Sequence, residues 1–241
     1  MSGNTVIVRV WGDFACFTRP EMKVERVSYP IMTPSAARGV LEAIYWEPQM
    51  YYGVQEIAVV RRGRWINLRR NEVQAIIKID SARSWMTGGR AVEPIHAGGG
   101  APDGTQRNTL ALSGVEYLVS AEVRLTDRAQ PPGDNLAKYV DQFRKRATTG
   151  KCFHRPCLGC REFAADFEWQ EDPGTVQVEP WDEDLGLMLY DVFDPTGRKT
   201  GQDLKPQAVF FEARVVSGRM NCRPDQVRLV RPDNEDAKPC S

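Results

Sequence analysis

The segment Thr33-Pro34-Ser35-Ala36-Ala37-Arg38-Gly39-Val40-Leu41-Glu42-Ala43-Ile44-Tyr45-Trp46-Glu47-Pro48 carries its own start and stop signals. Thr33 can cap a helix through its side-chain oxygen, and Pro34 falls at the first helical position, where its missing N–H costs nothing. Ala36, Ala37, Val40, Leu41 and Ile44 recur at helical spacing until Pro48 forbids continuation. These residues predict an amphipathic helix over 34–45.

Outward from this helix, the pattern changes to a period of two. In residues 5–11, Val6, Val8 and Val10 fall on one side and Ile7, Arg9 and Trp11 on the other, the signature of a strand with one buried face. Residues 55–61 and 72–80 read as two further strands joined by an arginine-rich segment. The clearest strand is 113–126, where Val115, Tyr117, Val119, Ala121, Val123 and Leu125 share a face. The intervening 88–104 is rich in glycine and contains Pro94 and Pro102, a composition for a long loop of the kind that often carries function. A second helix is predicted over 135–148, capped by Asp134, with Leu136, Tyr139, Val140 and Phe143 on its apolar face and Gly150 as its stop. Beyond Lys151 the texture is β: strands are predicted over 162–170, 185–193 and 207–216, with a Ser217-Gly218 turn and a charged, frayed tail. This order suits an α+β chain. A ferredoxin-like core is expected over residues 1–150 and a β-rich extension over 151–241.

With 241 residues the chain can bury a substantial core. No run approaches the roughly 20 apolar residues of a membrane span, and the N-terminus lacks a signal-peptide pattern. The expectation is therefore a soluble chain without a membrane partner. Six cysteines, three of them at Cys152, Cys157 and Cys160, do not form the dense framework of a small secreted domain, so a reducing cytoplasm fits. Lys+Arg and Asp+Glu balance at 32 each. A nucleic-acid-binding domain more often has a pI above about 9. The arginines nevertheless cluster locally: Arg61, Arg62, Arg64, Arg69 and Arg70 lie within ten positions, and Arg144, Lys145 and Arg146 are consecutive.

Four segments together carry a family likeness: Trp11-Gly12-Asp13-Phe14-Ala15-Cys16-Phe17, the helix from Pro34 through Tyr45-Trp46, Arg69-Arg70-Asn71-Glu72-Val73, and Pro156-Cys157-Leu158-Gly159-Cys160-Arg161-Glu162-Phe163. In this order they resemble the Cas-five family of type I-C CRISPR systems, within the RAMP superfamily, over about residues 5–216. The resemblance implies a ferredoxin-like endoribonuclease that cuts the precursor CRISPR RNA in its repeat stem-loop. It also implies that the 5′ handle of the product is retained by the protein as a subunit of the Cascade complex, beside the backbone and large subunits and, through the complex, target DNA. Cleavage in the family needs no metal or cofactor, the 2′-hydroxyl attacking the adjacent phosphate.

The family's catalytic tyrosine, at the end of the first helix, matches Tyr45. With a pKa near 10, a neutral tyrosine orients a nucleophile or donates a hydrogen bond more readily than it acts as a free base. From the residues alone, Tyr45 also reads as core packing with a satisfied hydroxyl. The family's neighbouring lysine and histidine, expected near the strand after the glycine-rich loop, are missing: this chain offers Ser113 and Gly114, with Gln106, Arg107 and Asn108 upstream. Only His96 and His154 exist, so His154 with Lys151 becomes the preferred substitute pair, against a structural or RNA-contacting role. That gap keeps open a second reading, a non-catalytic subunit that caps the handle. For phosphate binding the candidates are Arg19, Lys23, Arg38, Arg69, Arg70 and Arg107, because guanidinium groups grip phosphate bidentately; Trp11, Phe14, Tyr29 and Trp46 are candidates to stack on unpaired bases. Cys152, His154, Cys157 and Cys160 offer soft ligands for a zinc-stabilised module, yet no second Cys-x-x-Cys pair completes a ribbon, and small buried thiols in a turn are the favoured alternative.

Overall fold

A computed structural model describes residues 3–232 apart from 23, 75, 90, 93, 97, 99 and 194–206. Among the described residues nine strands form one sheet: β1 (Thr5–Ala15), β2 (Arg26–Val27), β3 (Met50–Val73), β4 (Gly104–Leu125), β5 (Asp166–Trp169), β6 (Glu183–Asp191), β7 (Val209–Val216), β8 (Arg219–Asn221) and β9 (Leu229–Val230). Among the same residues the α-helices are α1 (Pro34–Ile44), α2 (Ile79–Met86) and α3 (Leu136–Thr148).

The sheet order β5-β1-β4-β3-β8-β7-β6 explains the topology. Helix α1 connects β1 to β3, a connection that contains α2 joins β3 to its antiparallel partner β4, and α3 returns the chain to β5 on the far side of β1. The pairs β5·β1, β1·β4 and β4·β3 are all antiparallel. This is the ferredoxin-like arrangement, in which two split βα units interleave. Its fourth strand, β5, lies past residue 150, and β8, β7 and β6 continue the same sheet beyond β3.

The alternation in β1 and β4 does what its period requires. Val6, Val8 and Val10 join Val115, Tyr117, Val119, Ala121 and Val123 in the main core. Ile7 points to the opposite face with Ala58 and Leu118. Helix α1 lays Ala37, Val40, Leu41 and Ile44 on the main core, while α3 contributes Tyr139, Phe143 and Ala147 at four-residue spacing. Phe143 meets Tyr52 and Trp169 edge-on, at 5.6 and 6.3 Å between ring centres.

Several sequence expectations need correction. The two strands at 55–61 and 72–80 are one continuous 24-residue strand to Val73, followed by helix α2 from Ile79. The arginine run did not end the strand because β4 pairs with it throughout, from Met50↔Leu125 to Val73↔Gly104, with Gly63 at φ +75°. Beyond Arg61 most β3 side chains are at least partly exposed, so no one-sided apolar alternation marks the strand. The clearest strand accordingly begins at Gly104 rather than 113. The cap of α3 is Asn135, which accepts from the Lys138 amide at 2.9 Å, and not Asp134. Asp134 instead accepts from the Tyr139 hydroxyl and the Gln130 amide. The strand expected over 162–170 is shorter, Asp166–Trp169, and the frayed tail from 233 falls outside the described residues.

The Tyr139 contact, then the Gln130 amide and Lys138, lower the Asp134 pKa to about 2. Its contribution to stability is therefore complete above the ordinary aspartate value and is lost as pH falls toward 2. Replacing Tyr139 by phenylalanine is expected to let this carboxyl climb part of the way back to about 3.9, as an NMR pH titration of the Asp134 side chain would read.

Candidate active site

Tyr45 is the C-cap of α1 and is extended, with φ −158° and ψ 130°. Its amide still donates to Leu41 O at 3.1 Å, and its own carbonyl accepts from the buried Tyr52 hydroxyl at 2.6 Å. The backbone at this position is thus held from both sides. The ring is nearly buried, 7% exposed, and lies under the Arg146 guanidinium at 5.2 Å. Its hydroxyl makes no hydrogen bond among the described residues. Burial, followed by the charge of Glu47, raises its pKa against the opposing pull of Arg146.

The last turn of a helix leaves carbonyl groups without intrahelical partners. In α1 one of these, Ala43 O, accepts from two amides of a distant segment, Phe153 at 2.8 Å and His154 at 3.3 Å. The start of that segment is fixed by the end of α3. Gly150 adopts φ +66°, its amide donates to Ala147 O at 3.4 Å, and the Lys151 amide donates to Arg146 O at 2.9 Å, the bond pattern of a Schellman motif. The two helix ends therefore bring Tyr45, Arg146, Phe153 and His154 around one open cleft of about 650 Å³, also lined by Arg38, Glu42, Trp46, Glu47 and Pro48.

Farther along, residues 156–165 close on themselves and are pinned to the residue that follows β1. The Cys16 amide donates to Leu158 O at 3.0 Å, and the Ala165 amide to Pro156 O at 2.9 Å. Gly159 sits at φ +87°, where a Cβ would stand 2.0 Å from Cys16 O. Gly159→Ala combines a left-handed backbone with a backbone overlap. It is expected to cost at least about 3 kcal/mol and to lower the melting temperature measurably in a circular-dichroism scan.

Of the expected site residues, Tyr45 and His154 share the cleft, whereas Lys151 is exposed, does not line it, and serves the helix end through its backbone. Arg38 lines the cleft with its donors committed: Nε and Nη2 reach Asp191 at 2.9 and 3.0 Å, and Nη1 reaches Glu42 at 2.6 Å. Arg19 lies over the Tyr29 ring at 4.6 Å and pairs with Glu21 at 3.8 Å. Arg70 pairs with Glu162, and across the ladder it faces Arg107. Arg69 is exposed one position away. Lys23 lies outside the described residues. His96 is exposed in the 88–104 segment.

Among the aromatic candidates, Tyr29 is buried, Phe14 is partly buried and packs on Phe163 at 5.8 Å, and Trp46 is half exposed. No three of the His, Cys, Asp and Glu side chains among the described residues converge as metal ligands. Cys160 instead donates to Cys16 O at 3.8 Å, with Arg26 Nη1 3.9 Å from its sulfur.

Two cleft residues were not chosen as site residues from the sequence: Arg146, noted only within a basic run, and Phe153. Arg146 stands three positions after buried Phe143 and borders the apolar face of α3, a position that separates it from Arg144 and Lys145. Phe153 is a lone aromatic between Cys152 and His154, and carried no periodic signal.

A family model described as CRISPR-associated protein Cas5 matches residues 5–223. The chain belongs to the Cas5 family. Among Cas5 relatives, it is 39% identical over 236 residues to a Mannheimia succiniciproducens protein named CRISPR pre-crRNA endoribonuclease Cas5d, covering 95% of this chain and 99% of that one. It is 41% identical over 222 residues to a Thermus thermophilus protein of the same name, covering 88% of each. The Cas5 fold is shared with a solved CRISPR-associated protein, at TM-score 0.60 and 22% identity over 90% of both chains. A functionally uncharacterized protein from Streptococcus mutans has the same fold, at TM-score 0.61 and 19% identity over 94% of this chain and 96% of that one. Among the described residues, no helix is long and apolar enough to cross a membrane.

Proposed function

We infer that this chain is a metal-independent endoribonuclease that cuts precursor CRISPR RNA within the repeat stem-loop and keeps the 5′ handle as a type I-C Cascade subunit. The observation that carries this reading is the uncommitted Tyr45 hydroxyl in a cleft shared with a cation, Arg146, and with His154. In the reaction the 2′-oxygen forms a bond to the adjacent phosphorus and the bond to the 5′-oxygen breaks, leaving a 2′,3′-cyclic phosphate and a 5′-hydroxyl. Tyr45, kept neutral by burial, orients the 2′-hydroxyl, whose proton passes to solvent. Arg146 steadies the charge that grows on the phosphate. His154 gives a proton to the departing 5′-oxygen.

In this reading the ferredoxin-like core, which β5 completes beyond residue 150, supplies Tyr45 and Arg146, and the segment between α3 and β5 supplies His154. Arg69 and Arg107, on the β3–β4 arm, are the phosphate contacts outside the cleft, with Arg19 and Arg70 in supporting positions. Partners are the repeat RNA, the backbone and large subunits and, through them, target DNA, in the cytoplasm. The two relatives named as pre-crRNA endoribonucleases support the reaction. The test is incubation of purified protein with a repeat stem-loop in EDTA. A single cut with a cyclic-phosphate end is expected; tight binding without a cut would instead establish the handle-capping subunit, the reading favoured by Ser113 and Gly114 standing where the family's lysine and histidine are expected.

A further inference from the structure

The cleft is nearly balanced in charge. Its lining includes Arg38 and Arg146 against Glu42 and Glu47, and Arg38 is already paired with Glu42 and Asp191. Phosphate attraction alone is therefore a weak source of affinity at this place. What the cleft does offer is aromatic surface: Trp46 is 50% exposed and Phe153 is 82% exposed, although both are held on rigid backbone. Trp46 follows the doubly fixed C-cap of α1, and the Phe153 amide is bonded to Ala43 O in the same turn. Core packing does not account for either ring, and the Phe153 ring extends the aromatic surface to His154, 5.8 Å away between centres and tilted by 57°.

Resting on the nuclease reading of this cleft, we propose that Trp46 and Phe153 are the specificity-determining residues that stack on an unpaired base adjoining the scissile phosphate. An unpaired nucleobase is the part of the substrate that matches a site rich in π surface and poor in net charge. Stacking of this kind tolerates any base, so the pair selects for an unstacked nucleotide at the edge of the stem rather than for a letter of the sequence. It also fixes the sugar that carries the attacking 2′-hydroxyl relative to Tyr45, which precedes Trp46 in the chain.

The test measures affinity for a repeat RNA made uncleavable by a 2′-deoxy sugar at the cut, and for the same RNA with each unpaired nucleotide beside the stem made abasic in turn. Trp46→Ala and Phe153→Ala are each expected to weaken binding about 5- to 100-fold, and Trp46→Phe to restore most of the Trp46→Ala loss. One abasic position should weaken wild-type binding by a similar factor and add nothing further in the alanine variants. Alanine variants that bind like wild type, or losses that multiply with every abasic position, overturn the proposal. Because binding is read separately from cutting, a wild-type protein that shows this non-additivity but never cleaves an all-ribose repeat would end the nuclease reading and leave the base contact standing. One that cleaves while the rings prove irrelevant would do the reverse.

Discussion

Tyr45→Phe is expected to lower the single-turnover cleavage rate of a repeat stem-loop on the order of 100- to 1,000-fold, with the dissociation constant for uncleavable RNA within about twofold of wild type. The substitution removes one oxygen and leaves the ring under Arg146, so packing in α1 is preserved. The backbone carbonyl that anchors Tyr52 is untouched. Because burial and then Glu47 raise the Tyr45 pKa above its ordinary value near 10, the hydroxyl stays protonated through neutral pH. The residual activity of Tyr45→Phe should consequently keep the wild-type shape of the pH–rate profile between pH 6 and about 9. A phenylalanine variant that cuts at the wild-type rate, or that loses an alkaline limb present in wild type, would remove Tyr45 from the orienting role.

Arg38→Met is expected to produce the largest loss of stability from a single exchange near the cleft. The guanidinium is only 14% exposed and is held by Asp191, itself 5% exposed, and by Glu42 at 26%. Burial alone would lower the Arg38 pKa, but the charges of Asp191 and Glu42 outweigh it and the net direction is upward. Removing the cation leaves two carboxylates in a poorly solvated place, which typically costs about 3–5 kcal/mol. For a chain of this size that is a fall of roughly 6–20 °C in melting temperature, readable by calorimetry. The loss should shrink when Asp191→Asn is added, since the anion most in need of Arg38 is then gone; a double variant no more stable than Arg38→Met would deny the coupling. The pair joins α1 to β6, which makes it a fastener for the helix that presents Tyr45.

Much of this architecture is legible in the chain because the signals are local. Thr33, Pro34 and Pro48 bound α1 within a residue, and the valines of β1 with the odd-numbered residues from Val115 to Val123 declare one buried face. The arm of β3 was not legible past Arg61, because it is held by a ladder to residues more than 30 positions away rather than by an apolar alternation of its own. Residues 76–80 misled for a related reason: Ile76, Ile77 and Ile79 favour a strand, yet all three are exposed and Ile79 opens α2. The cleft was half legible. Tyr45 was reached only through the family resemblance, since the residues alone read equally as core packing, and His154 because there are only two histidines. Arg146 could not be joined to them, because its approach to Tyr45 depends on how α3 packs across the sheet, a relation between residues 101 positions apart.

The sheet order also governs what happens while the chain is being made. β1 is the first strand to emerge, but one of its edges is closed by β5, through Val8↔Trp169 and Trp11↔Asp166. At about 5–20 residues per second, ribosomal synthesis takes roughly 8 to 30 s to pass from the end of β1 to β5. Throughout that interval the outer edge of β1 presents unpaired amides and carbonyls beside an apolar face, the kind of edge that captures other chains. A transcript truncated before residue 166 would accordingly yield a chain prone to associate with its own copies instead of a smaller working core.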